Sequence, residues 1–230
     1  NKSVVINDLK ELPSKIENLT FPMVVKAQVQ TGGRGKAGGV KFAENMDDLV
    51  DACKKILGMN IKGHIVKKLL IAEKSEIGKE CYISIMLDRL TKCPVIIFSS
   101  FGGIDIEETA RTSPDKIIKV PVDPLVGVKD YMARYILDKS GFDVGLCNQL
   151  NHLLEKIYNM FCEYDCTLVE INPLNIAKDN KLIALDGKVS IDDSSLYRHP
   201  DILSFRDSIE EDEMVLEARK FNFLYIPCEP

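Results

Sequence analysis

The sequence has no CxxC pair and only three histidines, and no apolar run approaches the length of a membrane-spanning helix. Its seven cysteines stand at irregular spacings. Cys162 and Cys166 are four apart, with no histidine pair nearby to complete a zinc set. The thiols therefore read as buried and free, in a reducing compartment. The net charge of -5 leaves no basic surplus. That excludes a nucleic-acid reader driven by phosphate neutralisation. Any anion site must be built from local cations and backbone N–H groups. Signal peptide, internal repeat and low-complexity tract are all missing, so a cytoplasmic protein is expected, or one of an organelle matrix. None of the histidines looks like a phosphoryl acceptor. His64 lies in a basic, strand-like stretch, His152 in a helix, and His199 in a turn before Pro200.

What is present is a chain of 230 residues with 45% hydrophobic residues, enough to bury one large core or two modest ones. Residues 8–19 read as a helix with an early Pro13, and 23–29 and 40–43 as strands. Asn45 caps a helix over 46–57 that Gly58 ends. Residues 69–73, 80–87 and 95–99 read as strands, 129–139 and 144–164 as helices. In the last of these Leu146, Leu150, Leu153, Leu154, Ile157 and Phe161 keep helical spacing. Strands at 167–172 and 181–186 follow, then a helix near 213–220. The mixture is α/β or α+β, with a subdomain seam near Ser75 to Lys79.

The strongest local signal is KAQVQTGGRGKAGGVK, beginning at Lys26. Five of the eight residues from Gly32 to Gly39 are glycine, with Arg34 and Lys36 among them. Without Cβ atoms such a loop can bring several N–H groups against phosphate oxygens. The order is neither a Walker loop nor a Rossmann fingerprint. A plain hairpin tip is the alternative. Lys26 sits inside the apolar strand, where a lone buried ammonium is costly, so it needs a partner or an anion. Alternation puts Val24, Lys26 and Gln28 on one face. A lysine guarding an edge strand is the competing reading.

A second signal is acidic. If a hairpin turns on Lys178-Asp179-Asn180 with Asn180 left-handed, Asn172 falls opposite Asp186 and Glu170 opposite Lys188. All four then share one face. Opposed Cβ atoms lie ~4.5–5.5 Å apart. An amide oxygen and a carboxylate at that spacing can share one hard cation, as Mg²⁺ is held at nucleotide sites. Pro173 could shift this register. An exposed polar hairpin face is the alternative.

These segments, together with EIGKECYISIMLDR, FSSFGGIDIEE, PVDPLVG and LVEINPLNIAKDNKLIALDGK, make the chain resemble the β subunits of succinyl-CoA synthetases (succinate–CoA ligases) over nearly its whole length. The resemblance implies an ATP-grasp fold, with a small subdomain over 1–75 and a large one over 76–230. It implies a reaction in which a carboxylic acid joins CoA as ATP or GTP is cleaved, by way of a histidine phosphorylated on a separate α subunit. By position it assigns Lys26, Gly33, Arg34 and Gly35 to the nucleotide phosphates, and Ala72, Ser75 and Glu80 to the surroundings of adenine and ribose. Asn172 and Asp186 match magnesium ligands. Glu170 matches the glutamate that holds the phosphorylated histidine. At Ala72 such proteins often carry glutamate, whereas here the acid is the neighbouring Glu73.

The N-terminal element and the C-terminal CoA-ligase domain of these subunits have no counterpart in the sequence, so a piece of a longer protein is expected. The GGIDIEE stretch is either a subunit contact or part of the site. Rival readings are the β chain of an ADP-forming acetyl-CoA synthetase, a malate–CoA ligase or citrate-cleaving relative, and a non-catalytic nucleotide sensor. The sensor has no use for Glu170.

Overall fold

The computed structural model describes residues 2–31, 33–104, 106–205, 213–221, 223 and 225. The N-terminal part contains β1 (Ser3–Ile6), α1 (Leu12–Lys15), β2 (Met23–Gln28), β3 (Val40–Ala43), α2 (Met46–Ile56), a small hairpin of β4 (Asn60–Ile61) and β5 (His64–Ile65), and β6 (Lys68–Glu73). Four of these strands form an antiparallel sheet in the order β1-β6-β2-β3. Alternation divides β2. Met23, Val25 and Ala27 point into a core with Leu69 and Ile71 of β6 and Leu49, Ala52, Cys53 and Ile56 of α2. Asn45 caps α2 through its side chain, accepting from Asp48 N at 2.9 Å, and the chain leaves through Gly58 at φ +84°.

The helix expected over 8–19 is much shorter. A 3₁₀ turn at Leu9–Glu11, capped by Asp8, runs into the four residues of α1. Pro13 has no N–H and is tolerated only in the first turn of a helix, so it starts α1 and cannot sit inside a longer one. The chain is then drawn back to the sheet by Thr20, whose N–H and hydroxyl both donate to Glu73 at 3.1 and 3.0 Å.

The rest of the chain contains β7 (Lys79–Asp88), β8 (Cys93–Ser99), α3 (Ile106–Thr112), β9 (Ile117–Pro121), α4 (Asp130–Ser140), α5 (Cys147–Glu163), β10 (Cys166–Ile176), β11 (Leu182–Ala184), β12 (Gly187–Ile191), α6 (Pro200–Leu203) and α7 (Glu213–Lys220). Its sheet runs β11-β10-β7-β8-β9, with β12 also pairing β10, and every pairing is antiparallel. Two antiparallel sheets with helices on one face make the fold α+β. Ile83, Ile85, Ile96 and Phe98 meet Met132, Ile136 and Leu137 of α4 and Leu150, Leu154, Ile157 and Phe161 of α5. The helical spacing read from the sequence is thus the buried face of α5. Sequence reasoning did not anticipate β1, β4, β9, α3 or α6, all of them short, while β5 falls in the strand-like stretch read around His64.

Six cysteines among the described residues are free. Cys53, Cys81 and Cys166 are buried as expected, but Cys93 and Cys147 are half-buried and Cys162 is exposed. Burial pushes the thiols of Cys53 and Cys166 up to about 11 and that of Cys81 to about 12.

The two cores share no residue. The chain between β6 and β7 is clamped by the fully buried Asn175 of β10. Its amide donates to Glu76 O at 2.8 Å and its oxygen accepts from Gly78 N at 2.8 Å. Gly78 has no room for a side chain, since a Cβ would lie 2.0 Å from Ile176 O. Asn175→Ala leaves two backbone groups without partners, at a cost of about 2–3 kcal/mol. Urea denaturation should show that loss, and an unchanged midpoint would remove the clamp.

Candidate functional site

Each sheet has helices on one face, and the other faces line a cleft of about 1120 Å³. Lys26, Gly33, Arg34, Gly35, Ala72, Ser75, Glu80, Glu170, Asn172 and Asp186 all border it. Alternation puts them there: Val24, Lys26 and Gln28 take the face of β2 opposite the core, and Glu170 and Asn172 do the same on β10.

The lysine is not on an edge. β2 is paired on both sides, by β6 and β3, which removes the edge-guarding reading. Lys26 is half-buried, and its Nζ donates to Leu185 O at 2.6 Å. Burial pushes its pKa down, against the upward pull of the Asp186 carboxylate and with a further push from Arg34. The ammonium is therefore under-compensated, and an anion in the cleft would restore its charge balance.

The glycine segment is the connection between β2 and β3. It folds on itself, with Gly39 N donating to Arg34 O at 2.9 Å and Ala27 N to Gly39 O at 2.7 Å. Gly33 and Gly38 have φ +79°, a conformation that side chains rarely adopt. A Cβ on Gly39 would lie 2.7 Å from Ile61 Cδ1, so the β4–β5 hairpin packs directly on the loop. Gly33 and Gly35 are exposed on the cleft, and Gly32 lies outside the described residues. Arg34 turns inward. Its Nη1 donates to Ala27 O at 3.0 Å, and its Nη2 pairs with the Asp186 carboxylate.

On the acidic side, Asn180 is left-handed at φ +59°. Leu174 faces Ala184, Ile176 faces Leu182 and Glu170 faces Lys188, the register read from the sequence. Asn172 N donates to Asp186 O at 3.1 Å. The strands themselves differ from expectation. β10 runs on through Pro173 to Ile176, and the return strand is broken in two at residues 185 and 186. Pro173 lacks an N–H, so the pairing of β10 with β7 slips between Ile171 and Leu174. On the other edge its carbonyl still accepts from Leu185 N at 3.1 Å. The break leaves Leu185 O free for Lys26.

Asn172 also joins the loop after β8. Its Oδ1 accepts from Gly103 N at 2.7 Å and its Nδ2 donates to Ile104 O at 3.1 Å. The GGIDIEE stretch, left open by the sequence, contributes Gly103, Ile104, Ile106 and Glu107 to the cleft wall. Asn172 and Asp186 carry hard oxygens, here engaged by Gly103 N and Arg34, and form no protein cage; among the described residues no cluster of three His, Cys, Asp or Glu could hold a metal. Such a pair suits a cation that keeps water and phosphate oxygens as its other ligands.

Ala72 and Ser75, at the end of β6 and beyond, are half-buried beside the cleft, as is Glu80 at the start of β7. Glu73 accepts both hydrogen bonds of Thr20. Two residues escaped the sequence reading, Lys62 on the cleft wall and the buried Tyr82 next to Glu170. Lys62, at the tip of the β4–β5 hairpin, brings its Nζ within 3.3 Å of where a Cβ on Gly33 would lie. Tyr82 Oη donates to Glu170 Oε2 at 3.1 Å. Tyr82 has the same parity as Glu80 along β7, a signal that could have found it; Lys62 had none. No histidine borders the cleft, and His199 is bound instead to Asp165 at 2.8 Å.

No helix of the described residues is long and apolar enough to cross a membrane. Residues 1–176 match the model of the ATP-grasp domain. The chain is 46% identical over 216 residues to the succinate–CoA ligase [ADP-forming] subunit beta of Desulfatibacillum aliphaticivorans, covering 91% of this chain and 56% of that one. It is 42% identical over 226 residues to the same subunit of Rubrobacter xylanophilus, covering 98% and 59%. The chain thus spans a little over half the length of these curated relatives. Among solved structures it resembles ATP citrate lyase from Methanothrix soehngenii, with a TM-score of 0.68, 19% identity and coverage of 96% of this chain and 53% of that one. It also resembles the dinucleotide-forming acetyl-coenzyme A synthetase 1 of Ca. Korarchaeum cryptofilum, with a TM-score of 0.66, 16% identity and coverage of 83% and 85%. At those identities the structural likeness speaks for the fold alone. With three quarters of its length matched and two antiparallel sheets enclosing a cleft lined by glycines and by charges of both signs, the chain belongs to the ATP-grasp family.

Proposed function

We propose that this chain is the nucleotide-binding part of the β subunit of an acid–CoA ligase. The whole enzyme joins succinate to CoA, cleaves ATP or GTP to the diphosphate and phosphate, and passes the phosphoryl group through a histidine on an α subunit. The observation that carries this reading is convergence: ten residues from distant segments, picked out by their chemistry or by the family resemblance, border one cleft. A small subdomain over 1–75 and a large one over 76–230 hold the nucleotide between them.

Gly33 and Gly35 offer backbone N–H groups to the phosphates, while Lys26 and Arg34 neutralise the charge that develops there. Ala72 meets the base through its backbone, and Ser75 and Glu80 border the base and ribose. Asn172 and Asp186 would hold Mg²⁺, which supplies charge neutralisation to the phosphates. Glu170 accepts a hydrogen bond from the incoming imidazole, which orients one ring nitrogen and leaves the other to attack phosphorus. A carboxylate at that place has no task in a nucleotide sensor. The 42–46% identity to succinate–CoA ligase subunits favours succinate over the acids of the acetyl- and malate-using rivals.

Full-length β chain purified with its α partner tests this. With Mg-ATP or Mg-GTP, thioester formation should prefer succinate over malate, acetate and citrate; another preferred acid would rename the enzyme. Asp186→Ala should slow Mg-dependent phosphorylation of the partner about a hundredfold without unfolding the chain. A normal rate would sink the metal assignment. Glu170→Gln should slow that phosphotransfer about a hundredfold while the nucleotide Kd stays within about twofold. Lys26→Met should instead weaken nucleotide binding, read by calorimetry, by about tenfold or more.

A further inference from the structure

Glu170 is held on one side. It lies on β10, between β7 and β12, and borders the cleft. Its direct partner across β7 is Ser84, which is fully buried. The diagonal neighbour two residues away is Tyr82, within reach of an aromatic side chain in such a pairing. Tyr82 is only 3% exposed, and its hydroxyl meets Glu170 Oε2 at 3.1 Å. The ring is fixed by the sheet, since β7 is paired by β8 as well as by β10. Burial, and the Glu170 carboxylate beside it, push the phenol above its ordinary range. At neutral pH the phenol is a protonated donor.

We propose that Tyr82 is a positioning residue for the phosphoryl-transfer step, fixing one oxygen of Glu170 so that the other accepts the N–H of the partner's imidazole. This rests on the reading of Glu170 given above. A carboxylate free to turn about its last bonds presents either oxygen in many directions. One pinned by a buried phenol presents a single oxygen to the cleft, so the orientational cost is met before the partner arrives. In the step itself, the far ring nitrogen forms an N–P bond as the bridging P–O bond to the nucleoside diphosphate breaks. The electron pair leaves with the diphosphate, and the near N–H proton stays in its hydrogen bond to Glu170. Tyr82 touches neither phosphate nor imidazole.

The alternative is that Glu170 merely satisfies a buried hydroxyl. A double-mutant cycle on the full-length β chain with its α partner separates the two. Tyr82→Phe keeps the ring and should melt within a few degrees of the parent. It should slow histidine phosphorylation by ATP about tenfold, the loss of one hydrogen bond to a charged group, with the nucleotide Kd within about twofold. In the Glu170→Gln background the same substitution should change the rate less than about twofold, because its route of action is gone. Equal losses in both backgrounds, or no loss from Tyr82→Phe alone, overturn the proposal. If Glu170→Gln itself leaves phosphorylation unchanged, the reading of Glu170 falls and this proposal with it. If Glu170→Gln slows the reaction and Tyr82→Phe does not, the role of Tyr82 alone is lost.

Discussion

A β-strand sends successive side chains to opposite faces, and each sheet of this protein has helices on one face only. The face covered by helices must be apolar, and it is: Val25 and Ala27 on β2, Ile83 and Ile85 on β7, Val169 and Ile171 on β10 are all buried. The other face is then free to carry what a core cannot tolerate. Lys26, Glu170 and Asn172 sit one residue away from those core positions, and Glu80 sits beside the buried Cys81. The cleft is therefore not carved into the fold but is the polar half of the same alternation that builds the two cores.

Charge concentrates where the two sheets approach. Lys26 reaches the carbonyl of Leu185 and Arg34 pairs with Asp186, so these two cations of the N-terminal part rest on one break in the far hairpin. That break lies opposite Pro173 of β10. Pro173 cannot extend the ladder toward β7, and the return strand opposite it is interrupted at Leu185 and Asp186. A carbonyl and a carboxylate are freed at the point where positive charge arrives. Burial weakens the hold of Lys26 on its proton, and one carboxylate serves both cations. The balance invites a further anion.

Local chemistry made much of this legible. Hydrophobic spacing identified α5, Asn45 with Gly58 marked both ends of α2, and the helix read over 129–139 lies within a residue of α4. The turn at Asn180 gave the hairpin register through to Glu170 and Lys188, because a loop of known type sets every pair beyond it. The helix read over 8–19 was too long, because Pro13 has no N–H and is tolerated only in a first turn. A strand such as β1 passed unnoticed. Two to four residues carry too little periodicity to stand out, and they are held by partners far along the chain.

The sequence by itself determined the two polar faces, the glycine connection, the lone lysine in an apolar strand and the pairing of Asn172 with Asp186. Each is set by neighbours a few residues away or by a single turn. Only the tertiary structure decided that Arg34 meets Asp186, 152 residues on, that Tyr82 meets Glu170, 88 residues on, and that Gly103 N is held by Asn172, 69 residues on. Such contacts depend on how whole sheets stack and pair. Alternation says which face a side chain takes, but not which distant side chain will be waiting there.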